Sequence, residues 1–401
     1  MKEVVITNPL RTPNGSFGGA FKTVPAYDLA KLVMARVIAD SGIEAGALDE
    51  VIFGNIGQPS EAANITRVSA LYAGIPDHVP AYTVQRNCAS AMQAIINAFQ
   101  SIKVGDGELY LTGGAENMSL IPYLVKGARW GLKLRHSEFT DALWEGLTDP
   151  TCNLIMGATA ENLAAQYEIS REEQDKFAVQ SHKKAFMATR MGKFKDEIVP
   201  VEVIKRAAGQ EVAKELITQD ESINPALTVQ KAALYPTVFK KDGSVTPANA
   251  CPMNDGAAAL LVCSAEKAEK LGLKPMARIV SYAVTGVSPA YMGIGPATAL
   301  PKALDRGGLK YDQLDLVELN EAFAAQSLAV GIRMVQDGHG WDWEKTNVNG
   351  GAIALGHPVG QSGARLVVTL LHEMRRRNAR YGAATLCVGG GQGSALIMER
   401  I

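Results

Sequence analysis

The chain has 401 residues, too many for one ordinary hydrophobic core, so we expect two or three domains. Its composition, 47% hydrophobic and 20% charged, is that of a globular protein. A formal net charge of -1 gives no overall attraction to nucleic acid or to anionic membranes, and no apolar run reaches membrane-spanning length. We therefore expect neither nucleic acid nor a membrane as a partner.

Short apolar runs alternate with amphipathic patterns over the first 120 residues. The runs predict strands at 4–7, 51–55, 81–84 and 109–112, and the 3.6-residue patterns predict helices at 26–41, 62–73 and 90–104. Strands that alternate with helices are typical of an α/β sheet with both faces covered.

Residues 121–251 have a different character. Charged helical patterns such as 171–191 mix there with connectors rich in Gly, Pro and Lys, which predicts an inserted loop domain. The α/β rhythm then returns. It predicts strands at 256–263, 278–283, 316–319, 383–388 and 394–399, and a helix at 362–375.

The two ends of the chain resemble each other. Residues 48–53 (LDEVIF) echo residues 314–319 (LDLVEL), and each segment leads into the same succession of helix, strand, reactive loop, helix and strand. This succession predicts a duplicated α/β core. The expected domains are 1–120, completed by about 252–276, then the loop domain 121–251, and a second half at 277–401.

The cysteines are few and widely spaced. They are Cys88, Cys152, Cys251, Cys263 and Cys387. An odd number in a large chain argues against a disulfide framework and favours a reducing compartment, and no pair has zinc-site spacing. The first residues predict a strand rather than a secretory signal, so we expect a cytoplasmic protein without a metal site.

Two side chains occupy positions suited to nucleophilic chemistry. Cys88 lies where a predicted strand meets a predicted helix, and the positive end of the helix dipole is expected to lower its thiol pKa. A buried core cysteine is the alternative. His357 lies in a loop, residues 349–363, that contains five glycines. Glycines at this density indicate a backbone with unusual dihedral angles or a close approach to a ligand, and a histidine held there favours an acid/base role.

Two further motifs follow predicted strands. Cys387 leads into the glycine run 389–391, whose free N–H groups suit a developing negative charge. Asn320 ends a predicted strand, where α/β folds place working side chains, although a helix cap would explain it equally well. Together, these residues predict acyl-transfer chemistry. One thiolate would carry an acyl group, one histidine would activate it, and a second thiol would move a proton.

Five segments together resemble the motifs of the thiolase family. They are residues 87–90 (NCAS), 113–119 (GGAENMS), 320–323 (NEAF), 356–358 (GHP) and 387–391 (CVGGG). The resemblance covers nearly the whole chain. It implies a five-layer α/β/α/β/α core made of two related halves, with a loop domain over coenzyme A, assembled as a homodimer or homotetramer.

The resemblance also implies roles. Cys88 would be the acylated nucleophile, His357 would activate it, and Cys387 would be the acid/base for the second acyl unit. His357 and a water held by Asn320 would bind one thioester oxygen, and the N–H groups of Cys88 and Gly389 would bind the other. Coenzyme A and acetyl-CoA would be substrates, with no permanently bound cofactor. The coenzyme A contacts implied are Ala322, Phe323, Met156 and Cys251.

Three positions depart from short-chain biosynthetic members of the family: Cys251 replaces a serine, Ile155 a histidine and Ala91 a glycine. The expected reaction is condensation of two acetyl-CoA to acetoacetyl-CoA and coenzyme A. The alternative is a degradative thiolase for longer 3-ketoacyl thioesters, which residues 86–88 (RNC) resemble more closely. A more remote alternative is a non-catalytic acyl carrier of the same fold.

Overall fold

The computed structural model describes residues 2–134, 136–207 and 210–401. The strands there are β1 (Val4–Arg11), β2 (Gly15–Ser16), β3 (Glu50–Gly54), β4 (Ala81–Val84), β5 (Leu109–Asn117), β6 (Tyr123–Leu124), β7 (Thr140–Asp141), β8 (Thr148–Asp149), β9 (Leu154–Ile155), β10 (Val201–Ala207), β11 (Gln210–Ile217), β12 (Asn254–Ser264), β13 (Ala277–Gly286), β14 (Leu316–Leu319), β15 (Tyr381–Val388) and β16 (Gln392–Arg400).

The α-helices are α1 (Ala26–Ser41), α2 (Ile65–Tyr72), α3 (Ser90–Val104), α4 (Ala142–Gly146), α5 (Met156–Gln166), α6 (Arg171–Arg190), α7 (Val229–Ala232), α8 (Ala265–Lys270), α9 (Gly295–Gly307), α10 (Ala324–Gln336), α11 (Ala352–Leu355) and α12 (Ser362–Arg377). Short 3-10 helices span Ala45–Ala47, Met118–Leu120, Ala128–Trp130, Pro289–Ile294 and Tyr311–Gln313. In the described ranges, no helix combines the length and the apolar character needed to cross a bilayer.

A duplicated arrangement of strands builds one large sheet. In the first half, β3 pairs in parallel with β4 and β5, and β5, β12 and β1 follow in antiparallel pairs. In the second half, β14 pairs in parallel with β15, and β15, β16 and β13 follow in antiparallel pairs. Parallel pairing followed by two antiparallel pairings occurs in both halves, and the first half has one further parallel pair, β3–β4. This repetition confirms the duplicated α/β core predicted from the sequence.

The two halves meet at β1 and β13. Val5 pairs with Arg278 and Ile6 with Ala277, so the sheet continues from one half into the other. Helices α3 and α12 share one hydrophobic core with strands of both halves, while α1 packs on the outer face of the first half and α9 and α10 on that of the second. This layering places the first residues of α3 and α12 at the centre of the molecule.

Helices α1 and α3 have the bounds predicted from their apolar spacing, and each ends at a glycine in the left-handed conformation, Gly42 and Gly105. Strand β5 differs, because it continues past the predicted end at residue 112 to Asn117. Glycine is required within it by long-range packing. A Cβ on Gly113 would lie 2.0 Å from the Ala258 carbonyl oxygen, and one on Gly114 would lie 2.3 Å from that of Gly360.

The inserted region packs on the core through a buried ion cluster. Arg11 of β1 is fully buried, and its guanidinium donates to Glu197 at 2.7 Å and to Asp220 at 2.7 and 3.0 Å. Both carboxylates belong to the inserted region. The region also contains the hairpin β10–β11, which the sequence did not predict as strands. Burying three charges together requires that all remain paired, so this cluster fixes the inserted region to β1.

Candidate active site

Cys88 lies in the turn between β4 and α3, as predicted, and its side chain is partly buried. The preceding residue, Asn87, has a φ of 42°, a left-handed conformation that asparagine tolerates better than most residues. The Asn87 amide donates to the carbonyl of Gly389 at 2.8 Å. This bond joins the turn that holds Cys88, in the first half, to the glycine hairpin of the second.

The protonation of Cys88 differs from the sequence prediction. Burial raises the pKa of the thiol to about 11, although the backbone N–H groups of Gly389 and Cys88 hydrogen-bond to it and oppose the shift. The expectation of a lowered pKa was wrong because desolvation outweighs the helix N-terminus. Cys88 is therefore a neutral thiol at rest and needs a base. The two N–H groups named for an oxyanion site converge at its sulfur.

His357 is a neutral imidazole of defined tautomer. Its Nδ1 lies 2.6 Å from Ser362 Oγ, and Ser362 Oγ donates its own hydrogen to the Pro358 carbonyl at 2.9 Å. Ser362 must then accept from Nδ1–H, which leaves a lone pair on Nε2. Burial and the charge of Arg365 lower the pKa of His357 to about 3. The ring is therefore uncharged at neutral pH, and its unprotonated Nε2 can accept a hydrogen bond.

The backbone around His357 is held by Asn254. Asn254 Oδ1 accepts from the His357 N–H at 3.0 Å. The preceding Gly356 has a φ of 92°, and a Cβ there would lie 2.5 Å from the Asn254 side chain. Only glycine satisfies both conditions, so the Gly-His-Pro sequence reflects a backbone requirement at this point.

Asn320 lies at the end of β14, and its Nδ2 is 3.4 Å from His357 Nε2. Helix α10 begins at Ala324 after Phe323, so Asn320 does not cap it and that alternative is excluded. Within the described ranges, the buried Oδ1 of Asn320 has no hydrogen-bond partner. A buried unpaired acceptor beside a histidine fits a bound water or a substrate group.

Cys387 is the residue before the last in β15, and 1% of its surface is exposed. Burial raises its pKa well above the ordinary value, and the thiols of Cys88 and Cys251 are close enough to add to the shift. Cys387 packs in one cluster with Ala322 and Phe323. The structure thus brings three of the five cysteines together, and all five are unpaired.

The four residues predicted to contact coenzyme A lie around Cys387. Cys251 donates its backbone N–H to the Ala322 carbonyl at 3.0 Å, and Met156 packs against the cluster that contains Ala322 and Phe323. Met156 also lines a cavity together with Cys88, and this cavity is not lined by Cys387, Ala322, Phe323 or Cys251. The site therefore has two parts, the cluster around Cys387 and the cavity lined by Cys88.

The cavity lined by Cys88 has a volume of about 610 Å³. Cys88, Asn87, Gly389 and Met156 are among its lining residues. Most of the remaining wall is apolar. The larger apolar side chains there are Ile56, Met118, Ile121, Leu124, Leu143, Leu147 and Val359. The volume is that of a small-molecule site rather than of a packing defect.

Two positioning residues were missed from the sequence, Ser362 and Glu116. Glu116 lies on β5, is 1% exposed, and accepts four N–H groups from Asn55, Ile56, Gly57 and Gly360 at 2.8 to 3.1 Å. Burial raises its pKa to about 7 against the effect of these donors. The available signal was the place of Glu116 in the segment 113–119 (GGAENMS), one of the five motif-like segments of the sequence. Ser362 offered only its position at the start of a helix.

Family models cover almost the whole chain. The model described as "Thiolase, N-terminal domain" matches residues 4–266, and "Thiolase, C-terminal domain" matches residues 273–400. An acetyl-CoA acetyltransferase of Pseudomonas aeruginosa is 49% identical over 401 residues, with all of both chains covered.

Solved structures agree with the family models. A crystal structure of the Bacillus anthracis acetyl-CoA acetyltransferase has a TM-score of 0.96 at 47% identity, covering 100% of this chain and 99% of that one. A human mitochondrial 3-ketoacyl-CoA thiolase in complex with CoA has a TM-score of 0.93 at 41% identity, covering 100% and 98%. Fold and site define an enzyme of the acyltransferase class. The chain belongs to the thiolase family.

Proposed function

We propose that this thiolase makes and breaks the carbon–carbon bond of 3-ketoacyl-CoA through an acyl group on Cys88. The observation that carries the proposal is that the Cys88 thiol is neutral beneath two N–H donors, while the buried His357 is neutral and carries its hydrogen on Nδ1, which leaves Nε2 unprotonated. A thiol that is protonated at rest requires such a base, and the N–H pair suits the oxygen of the acyl group.

In the cleavage direction, His357 Nε2 takes the proton of Cys88 and the sulfur attacks the 3-keto carbon. The C2–C3 bond then breaks, and its electron pair forms the enolate of acetyl-CoA. Cys387 supplies the proton to this enolate, because burial keeps its thiol protonated. The N–H groups of Cys88 and Gly389 hold the oxygen of the acyl-enzyme. The products of this step are acetyl-CoA and the acylated Cys88.

The second step returns the acyl group to coenzyme A. The thiol of a free coenzyme A gives its proton to the Cys387 thiolate left by the first step, and its sulfur attacks the Cys88 thioester. Acyl-CoA leaves, and the Cys88 sulfur regains a hydrogen from protonated His357. Run in reverse with acetyl groups, the same steps condense two acetyl-CoA to acetoacetyl-CoA and coenzyme A. His357, with a water on Asn320 Oδ1, would hold the oxygen of the second thioester.

We propose that substrates include 3-ketoacyl chains longer than four carbons. The support is the cavity of about 610 Å³ that begins at Cys88, since an acetyl group would leave most of it empty. The second candidate is an enzyme confined to acetoacetyl-CoA. It is favoured by the name of the Pseudomonas aeruginosa relative, acetyl-CoA acetyltransferase.

Thiolytic cleavage of 3-ketoacyl-CoA from four to sixteen carbons, with free coenzyme A, tests both candidates. A rate that stays level or rises beyond four carbons supports the proposal, and a rate confined to four carbons selects the second candidate. Mass spectrometry of the acylated Cys88 peptide tests the chemistry in the same samples, with Cys88→Ser as the control. If that variant retained acyl label at the wild-type level, the assignment of Cys88 as the nucleophile would be refuted.

We further propose that the loop domain 121–251 covers coenzyme A between two halves, 1–120 with 252–276 and 277–401, and that the enzyme works in the cytoplasm as a homodimer or homotetramer. Residues 123–139 support assembly with further copies, because the large apolar side chains of Tyr123, Trp130, Leu134 and Phe139 are exposed. The five unpaired cysteines support a reducing compartment. Light scattering of the purified protein distinguishes the assemblies, since one chain has a mass of 42.7 kDa.

A further inference from the structure

The cavity lined by Cys88 is continuous with the proposed nucleophile. Cys88 itself packs with Met118, Leu143 and Val359, which are among the apolar side chains of the cavity wall. An acyl group bound to the sulfur can therefore extend along this wall, which the residues around Cys387 do not line. The occupant that fits is the acyl chain of the acyl-enzyme.

The lining of this cavity contains acidic side chains and, among the described residues, no basic ones. Glu116, Glu145 and Asp149 line it, and none of its other lining residues, all within the described ranges, is Lys, Arg or His. Asp149 is 5% exposed and accepts from the backbone N–H of Thr151 at 2.7 Å. Hydrogen bonds from Thr151 lower the pKa of Asp149, so it is an anion at neutral pH.

The other two carboxylates already have partners. Glu116 accepts its four N–H groups, and Glu145 pairs with Lys126, whose side chain is 65% exposed outside the cavity. A carboxylate on the substrate would therefore enter an apolar space without a cation of its own, facing Asp149. Burying such an unpaired anion is strongly unfavourable, and a neutral alkyl chain has no such cost.

From this arrangement we infer that the cavity admits neutral, apolar acyl chains and excludes acyl chains that end in a carboxylate. The inference rests on the proposed function, because it takes Cys88 to be the residue that carries the acyl group. It adds a selection by charge that chain length alone does not predict.

A matched pair of substrates tests the inference. 3-Ketohexanoyl-CoA and 3-ketoadipyl-CoA have the same number of acyl carbons and differ by a terminal carboxylate, as their eight-carbon and ten-carbon counterparts do. We expect kcat/KM for thiolysis to be at least about 100-fold lower for the carboxylated member of each pair. Values within about threefold of each other would overturn the inference and leave the proposed function intact. Failure of all the neutral substrates would instead refute the chain-length proposal.

The monomethyl ester of 3-ketoadipyl-CoA separates charge from size, since it is longer but neutral. Charge exclusion predicts that the ester regains at least about a tenth of the 3-ketohexanoyl rate, and an ester as poor as the acid would show a steric limit instead. Glu145→Gln removes the partner of Lys126 at the cavity rim, and we expect it to raise the acid-to-neutral ratio about tenfold. The double variant Glu145→Gln/Lys126→Met should return that ratio to the wild-type value; a ratio that stays raised would contradict the charge argument.

Discussion

Ser362 Oγ lies 2.6 Å from His357 Nδ1 and donates a hydrogen bond to the carbonyl of Pro358. The carbonyl can only accept, so the direction of both bonds is determined and the proton of the imidazole is on Nδ1. Ser362 thus determines which nitrogen of His357 is unprotonated. In many enzymes a carboxylate has this role.

Ser362→Ala should therefore weaken catalysis without removing a reacting group. We expect kcat/KM to fall about 10- to 100-fold, because Nδ1–H loses its acceptor and the two tautomers become mixed. Ser362→Thr keeps the hydroxyl and should recover most of the activity. Thiolysis kinetics of both variants check this, and equal losses in the two would point to packing at the start of α12 rather than to the tautomer.

Cys387→Ala should separate the two halves of the reaction. We expect acetyl-CoA still to acylate Cys88 at a rate within about tenfold of wild type, and acetoacetyl-CoA formation to fall at least about 1,000-fold, because no group remains to remove the α-proton. Mass spectrometry of the Cys88 peptide gives the first step and product formation the second. A loss of the same size in both steps would make the role of Cys387 structural.

The raised pKa of Cys88, about 11, predicts how the thiol responds to pH. Because only the thiolate is alkylated, the rate with iodoacetamide at Cys88 should rise about tenfold per unit from pH 7 to pH 9.5 without a plateau. A free cysteine, of pKa about 8.5, levels off in this range and serves as the reference. Peptide mapping isolates Cys88 from Cys152. A rate that is high and constant from pH 6 upward would indicate a resting thiolate–imidazolium pair.

The sequence was sufficient where local pattern determines structure and insufficient where distant packing does. Helix α3 and the position of Cys88 at its start follow from apolar spacing and from the glycine that ends the helix. Strand β5 was predicted too short, because the pair Gly113–Gly114 suggests a turn until the carbonyls of Ala258 and Gly360 are known to lie against it. The thiol pKa had the wrong sign because burial depends on the whole fold.

Glu116→Gln tests the carboxylate that connects β5 to the His357 loop. Each of its two oxygens accepts two N–H groups, so a glutamine amide would turn its own donors toward two of them. We expect kcat to fall at least about tenfold with KM for coenzyme A within about twofold, since the Gly360 contact holds the loop and not the substrate. Glu172→Gln, an exposed partner of Lys176, is the control and should change neither. A change in KM alone would contradict a positioning role.

Arg11→Met tests the attachment of the inserted region. Without the guanidinium, the carboxylates of Glu197 and Asp220 remain buried and unpaired, and we expect the free energy of unfolding to drop by about 3–5 kcal/mol. The matched control is Arg36→Met, which breaks an exposed helical pair with Asp40 and should cost no more than about 0.5 kcal/mol. Urea unfolding of the two variants, measured side by side, tests this prediction. Equal unfolding midpoints would mean that the Arg11 ion cluster does not hold the inserted region in place.

The pairing of β1 with β13 has a consequence for how the enzyme handles its substrate. Cys88 belongs to the first half, His357 and Cys387 to the second, and a shared ladder of backbone hydrogen bonds runs between the halves. The two halves cannot separate to admit a thioester without breaking these backbone hydrogen bonds. The register of the strands therefore determines the spacing between the thiols of Cys88 and Cys387. The motions that turnover requires must come from the segments above the sheet.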